Sequence, residues 1–387
     1  MNKEYMSSRQ RVGNAIEHKP VDRMPIDLGV HFSTGISAYA YYELRKYLGL
    51  SVDQIEMIDC SQGLARVDQD ILDRFHIDTM LLNPPWENTY KWNPRGTYEF
   101  LVPDSFRPVR QADGGYRMRS GQGEMYMPAG GYFFDGICPD FYGFKSEEEK
   151  WELFGRRAEE IYKETDKFTM VMGYGAFFHG LEFACEMLLD PESCKYQNET
   201  QLGKNIAKFD RMNKRFGKYI QAIEVNSDLG MQNAPMCSPE SYEECCLPYL
   251  KAFCKHVHEN SDIKIFLHSC GSIDALLPGI IEAGVDIVNP VQISADNMDP
   301  GHLKRTYGDS ICFWGGGCDT QSMLWQGTPE EVSAHVEKNI EIFAKGSGFV
   351  FNQVHNIMGN VPPANIAAMF DTAYECAVRG PAVVKTV

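Results

Sequence analysis

The chain has 387 residues, 43% hydrophobic and 23% charged, which excludes long disordered stretches and supplies apolar material for a large core. Its 37 Lys and Arg stand against 53 Asp and Glu, a formal charge of -16 that opposes phosphate backbones and anionic membrane surfaces and argues against nucleic acid as a partner. No window approaches the roughly 18 uninterrupted apolar residues of a membrane span, and the polar start MNKEYMSSRQRV lacks the apolar core of a signal peptide. A cytoplasmic protein is expected, whose 12 cysteines are thiols that matter as metal ligands or nucleophiles.

Residues 7–18 read as a short helix, with Ser7 or Ser8 as cap, Val12, Ala15 and Ile16 on one face, and Lys19-Pro20 as the stop. VDRMPIDLGV follows as an extended stretch with alternating apolar side chains. Residues 95–135 change texture, rich in Tyr, Phe, Arg and Gly with the turn signal Asp113-Gly114-Gly115, and read as a β-hairpin insertion. After residue 150 apolar strands alternate with amphipathic helices: FTMVMGYG, YIQAIEVNSD, IKIFLHSCG, VDIVNP, ICFWGGGCD and GFVFNQVHN, with helical patterns such as SPESYEECCLPYLKAFCKHVHEN and TPEEVSAHVEKNIEIFAKG between them. This rhythm predicts a parallel sheet covered by helices. The closure expected is a (β/α)8 TIM barrel in a single domain over 1–387, with an N-terminal helical segment and the 95–135 insertion. Polar residues gather after strand after strand, where such a barrel builds its site, whereas no G-x-G-x-x-G follows a strand as a doubly wound fold would favour.

The strand ends carry the chemistry. In IFLHSCGS, His268 and Cys270 are two residues apart, so both point to one side if 265–267 form a strand. An imidazole and a thiolate reaching one cation suit zinc. Cys318 and His355 end two later strands and are the further candidate ligands. Alone, each of the four reads equally as a core cysteine, a turn residue or a capping histidine; together at strand ends they favour a metal. Glu224, Asn226 and Asp228 also alternate, as a general base, an oxygen ligand or substrate hydrogen-bonding groups, with a cap or solvated loop as the bland alternative. Phe177, Phe178 and His179, at a Gly-flexed strand end, together with Trp314, are candidate apolar walls for a ligand or ordinary core.

RQRVGNAIEHKPVDRMPIDLG, HSCGSIDALLPGIIEAGVDIVNPVQ, FWGGGCDTQ with GTPEEV, and GFVFNQVHNIMGNVPPANI resemble the superfamily of uroporphyrinogen decarboxylase and the corrinoid-dependent methyltransferases, over nearly the whole chain. The resemblance implies a (β/α)8 barrel. It also implies, in the methyltransferase branch, zinc on a His-x-Cys pair matched by His268 and Cys270. For the remaining ligands it leaves His355 by position, Cys318 by chemistry, and Gln292 or Glu224 as an oxygen donor. The decarboxylase branch is metal-free and holds its acidic tetrapyrrole with an N-terminal arginine-rich motif; Arg9-Gln10-Arg11 followed by Val12-Gly13 departs from it. The function expected is O-demethylation, with a methyl group passing from a methoxylated aromatic compound to the cobalt of a corrinoid. No Asp-x-His-x-x-Gly motif occurs here, so the corrinoid is expected on a partner protein. A metal-free decarboxylase is the alternative.

Overall fold

In a computed structural model of the protein, residues 5–121 and 123–379 are described. Six parallel strands pair in sequential order: Met170–Tyr174, Ala222–Asn226, Lys264–His268, Ile287–Asn289, Cys312–Trp314 and Phe349–Val350. Each is followed by helical structure, including Leu181–Leu189 with Pro191–Phe216, Leu247–Asn260, Pro329–Phe343 and Pro363–Arg379. Alternate side chains divide these strands between two apolar layers, as expected for a sheet buried on both faces. Ile223, Val225, Ile265, Leu267, Val288 and Phe313 join the cluster shared with the helices. Ala222, Phe266, Ile287, Cys312, Trp314 and Val350 form an inner cluster with Phe168 and Met170.

Two further segments continue the sheet beyond its edges. Phe351 N donates to Pro25 O and Asp27 N to Phe351 O; Asp78 N donates to Ile26 O, Phe168 N to Asp78 O, and Met80 N to Phe168 O. Parallel bridges at Ile26–Phe351 and Thr79–Phe168 accompany these bonds. The N-terminal helix Ser8–Ile16 carries a capping box between Ser7 and Gln10 and lays Val12, Ala15 and Ile16 against the inner cluster. Between residues 89 and 136 the chain is antiparallel: Thr89–Trp92 pairs with Phe100–Pro103, and a four-stranded sheet runs from Val109–Arg110 to Asp135–Gly136. The fold is therefore α/β with a parallel sheet, in the manner of a TIM barrel. No helix among the described residues is long and apolar enough to cross a membrane.

Candidate metal centre

The strands align their last residues in one row: Asn226 is the register partner of His268, and His268 of Asn289. This row stands at the C-terminal ends of the parallel strands, where the following loops bring polar groups together. One donor atom each from His268, Cys270 and His355 lies within 4.8 Å of the other two.

Asn289 determines which nitrogen of His268 is free. Its Nδ2 donates to the carbonyl of Trp314 at 2.9 Å, so Oδ1 is the atom that faces His268 Nδ1 at 3.0 Å. A carbonyl oxygen only accepts, so the proton sits on Nδ1 and the lone pair on Nε2. Cys270 Sγ lies 3.6 Å from that Nε2, close to the edge of about 3.5 Å that bonds of about 2.0 and 2.3 Å give in a tetrahedron. Burial, with His268 as neighbour, pulls His355 down to about 4, so this imidazole is neutral near pH 7 and able to ligate. Burial likewise lowers His268. Cys270 is pushed up to about 12 by burial and then by Asp228; a cation in the cluster would reverse this, because a coordinated thiol is deprotonated. The residues present fit zinc: two imidazoles and a thiol, with a fourth position left for another group.

Close backbone packing sets the loop that carries Cys270. Gly271 has φ +86°, and a Cβ there would meet Gly230 C at 2.4 Å. The loops after two adjacent strands thus touch backbone to backbone, tied by Gly230 N to Cys270 O and Ser272 N to Met231 O. Asp228 holds the same loop by accepting from Cys270 N at 2.9 Å, while its Oδ1 stands 3.8 Å from His268 Nε2. It is exposed, as is Asn226.

Other expected site residues lie elsewhere. Cys318 is not in the cluster. Gly315, at φ +102°, and Gly316, at φ +79°, turn the chain after its strand, and the thiol is fully buried in apolar surroundings, 3.8 Å from Asp319 O. Gln292 spends its carboxamide oxygen on Gly271 N, at 2.8 Å. Glu224 is buried below the row of strand ends and bonded to Gly173 N, outside the donor cluster. Trp314 belongs to the inner core and donates from Nε1 to Asp27 Oδ2 at 2.9 Å, so it is floor rather than wall. Phe177 and Phe178 are buried core residues against Tyr249 and Phe183, and His179 is exposed on the edge of Phe183.

Two residues of this region carry no signal in the sequence. Asn289 looks there like the end of an apolar strand. His31 follows the extended stretch ending at Val30, and its ring centroid lies 5.4 Å from that of His268. The i and i+2 spacing that marks His268 and Cys270 has no counterpart at either residue, because each reaches the site from a different segment of the chain.

Residues 219–376 match the family model described as uroporphyrinogen decarboxylase (URO-D). A uroporphyrinogen decarboxylase of Chlorobium phaeobacteroides is 26% identical over 152 residues, covering 38% of this chain and 40% of that protein. One from Trichodesmium erythraeum is 24% identical over 203 residues, 48% and 53% of the two chains. Matches to the curated relatives thus span about two fifths to one half of their length. A methyltransferase from Methanosarcina mazei has a similar fold, with a TM-score of 0.58 over 96% of this chain and 99% of its own, at 12% identity. Residues 219–376 are thus similar to the URO-D family model, and the fold as a whole is similar to that of the Methanosarcina methyltransferase.

Proposed function

We propose that the chain is a zinc-dependent methyltransferase that takes the methyl group of a methoxylated aromatic compound and delivers it to the cobalt of a corrinoid carried by a partner protein. The observation that carries this reading is the convergence of His268, Cys270 and His355 at the strand ends. We further infer that the hydrogen bonds through residues 25–27 and 78–80 close the sheet into an eight-stranded barrel. It would be a single domain, with the antiparallel strands between 89 and 136 as its insertion.

His268, Cys270 and His355 would hold the metal, and zinc, when bound, supplies a Lewis acid for the ether oxygen that becomes a phenolate. The chain's own residues do the positioning. Asn289 fixes the His268 tautomer, and the Gly230–Gly271 contact fixes the Cys270 loop. Asp228 and Asn226 stand exposed beside the cluster, where they can orient a substrate whose methyl carbon must lie in line with the incoming cobalt.

The names of the curated relatives favour a second reading, decarboxylation of an acidic tetrapyrrole. The N-terminal arginines are a poor fit to it: Arg11 is buried and spent on Asp22 and Asp78, and Arg23 on Asp78. The two readings separate in one assay. Zinc-loaded protein mixed with cob(I)alamin and vanillate or syringate is expected to form methylcobalamin absorbance, and to release no carbon dioxide from uroporphyrinogen III. Release of carbon dioxide without methylcobalamin would replace the first reading with the second.

A further inference from the structure

Glu224 is a buried charge that the metal scheme leaves without a purpose. It is 1% exposed on the inner face of the sheet. Its strand pairs with Met170–Tyr174 through an irregularity that sets three steps, Val171 to Tyr174, against the two from Ile223 to Val225. Gly173, at φ +83° in this bulge, turns its N–H inward onto Glu224 Oε2 at 2.6 Å. Such bulges re-aim groups beside functional sites. Oε1 faces His31 Nε2 at 3.3 Å.

His31 does not neutralise this carboxylate. Ser33 N donates to His31 Nδ1 at 3.0 Å, so that nitrogen carries a lone pair and the ring is the neutral Nε2–H tautomer. Lys208 directs its ammonium to the carbonyl of Gly173 instead. A carboxylate buried without a cation is strongly unfavourable, yet a specific bulge is built to receive this one. Beyond His31 the row continues to the proposed metal ligands: the His31 and His268 ring centroids are 5.4 Å apart, and those of His268 and His355 5.8 Å. Two neutral imidazoles and one thiolate leave a divalent cation with one uncompensated positive charge. Asp228 stands beside the ligands but is exposed to solvent, which screens it; Glu224 is the buried carboxylate behind them.

We propose that Glu224 is the counter-charge of the cation held by His268, Cys270 and His355, and that His31 is the positioning residue that links this carboxylate to His268. The inference rests on the metal-binding reading above and adds to it two residues that touch no metal. Charged groups behind the ligands tune metal affinity by roughly 10- to 100-fold.

The test measures zinc affinity by chelator competition and melting temperature with and without zinc, on the full chain. Glu224→Gln is expected to bind zinc roughly tenfold more weakly and, stripped of metal, to melt at a higher temperature than the wild type, because it lacks the unpaired charge. A residue with a merely structural role would not move the two readouts in opposite directions. His31→Phe, which keeps a ring against Phe266 and His268, is expected to weaken zinc similarly. The double variant should be no weaker than either single one, since both break one linkage. Unchanged zinc affinity in Glu224→Gln, or a lower melting temperature of its metal-free form, overturns the inference while leaving the metal site standing. Effects that multiply in the double variant overturn the role given to His31. A wild type that binds no zinc overturns both this inference and the metal reading.

Discussion

At the scale of single residues, Asn289 and Cys318 make opposite claims. Asn289 touches no metal but holds His268 in the tautomer that leaves Nε2 free. Asn289→Ala should therefore weaken zinc binding by roughly 10- to 100-fold, measured by competition with a chelator; an unchanged affinity would mean that the tautomer is fixed by something else. Cys318 is a soft donor by chemistry, but its thiol is buried in the apolar core, outside the donor cluster. Cys318→Ala should leave zinc affinity and stoichiometry unchanged, and loss of the metal would restore it as a ligand. His268, Cys270 and His355 were legible in the sequence because each follows an apolar strand and the first two share its alternation. Cys318 looked the same, and only the path of the glycine turn separates it from them. His31 and Asn289 were not legible, since their partners lie on other strands and no spacing along the chain records the contact.

At the scale of elements, two glycine contacts shape the site. Gly271 and Gly230 let adjacent loops meet at a distance that no Cβ permits. Gly271→Ala meets both a left-handed φ and backbone atoms at 2.4–2.7 Å, and should cost about 2 kcal/mol or more of stability while lowering zinc affinity through the Cys270 loop. A variant as stable and as tight as the wild type would refute this close contact. The alternation of strands and helices after residue 150 is legible in the apolar pattern, and the N-terminal helix in its cap. The stretch 78–80 and the long helix Pro191–Phe216 are not. The first is only a few residues of backbone pairing, and the second is polar over much of its length, with few residues fully buried.

At the scale of the whole molecule, a buried ion network ties the N-terminal helix to the sheet. Arg11 bridges Asp22 at 2.7 Å and Asp78 at 2.6 Å, Arg23 reaches Asp78 at 2.7 Å, and Ile26 N donates to Asp78 at 2.9 Å. Burial would raise Asp22, but Arg11 and the backbone N–H groups of Met6 and Tyr5 outweigh it and hold the carboxyl well below its usual range. A carboxyl lowered in the folded state adds stability that is complete above its unfolded pKa of about 3.9 and is lost as pH falls toward the folded value. Asp22→Asn should cost about 3 kcal/mol near neutral pH, read by urea denaturation, and the difference from wild type should shrink below about pH 4. A penalty independent of pH would assign the loss to packing rather than charge.

The metal content of the purified chain is the most direct check on the site. Wild-type protein equilibrated with zinc and desalted should retain about one zinc per chain by elemental analysis, and His268→Ala, Cys270→Ala and His355→Ala should each lose it. Zinc that stays bound in all three variants, or a wild type that retains none, would contradict a metal centre at these strand ends.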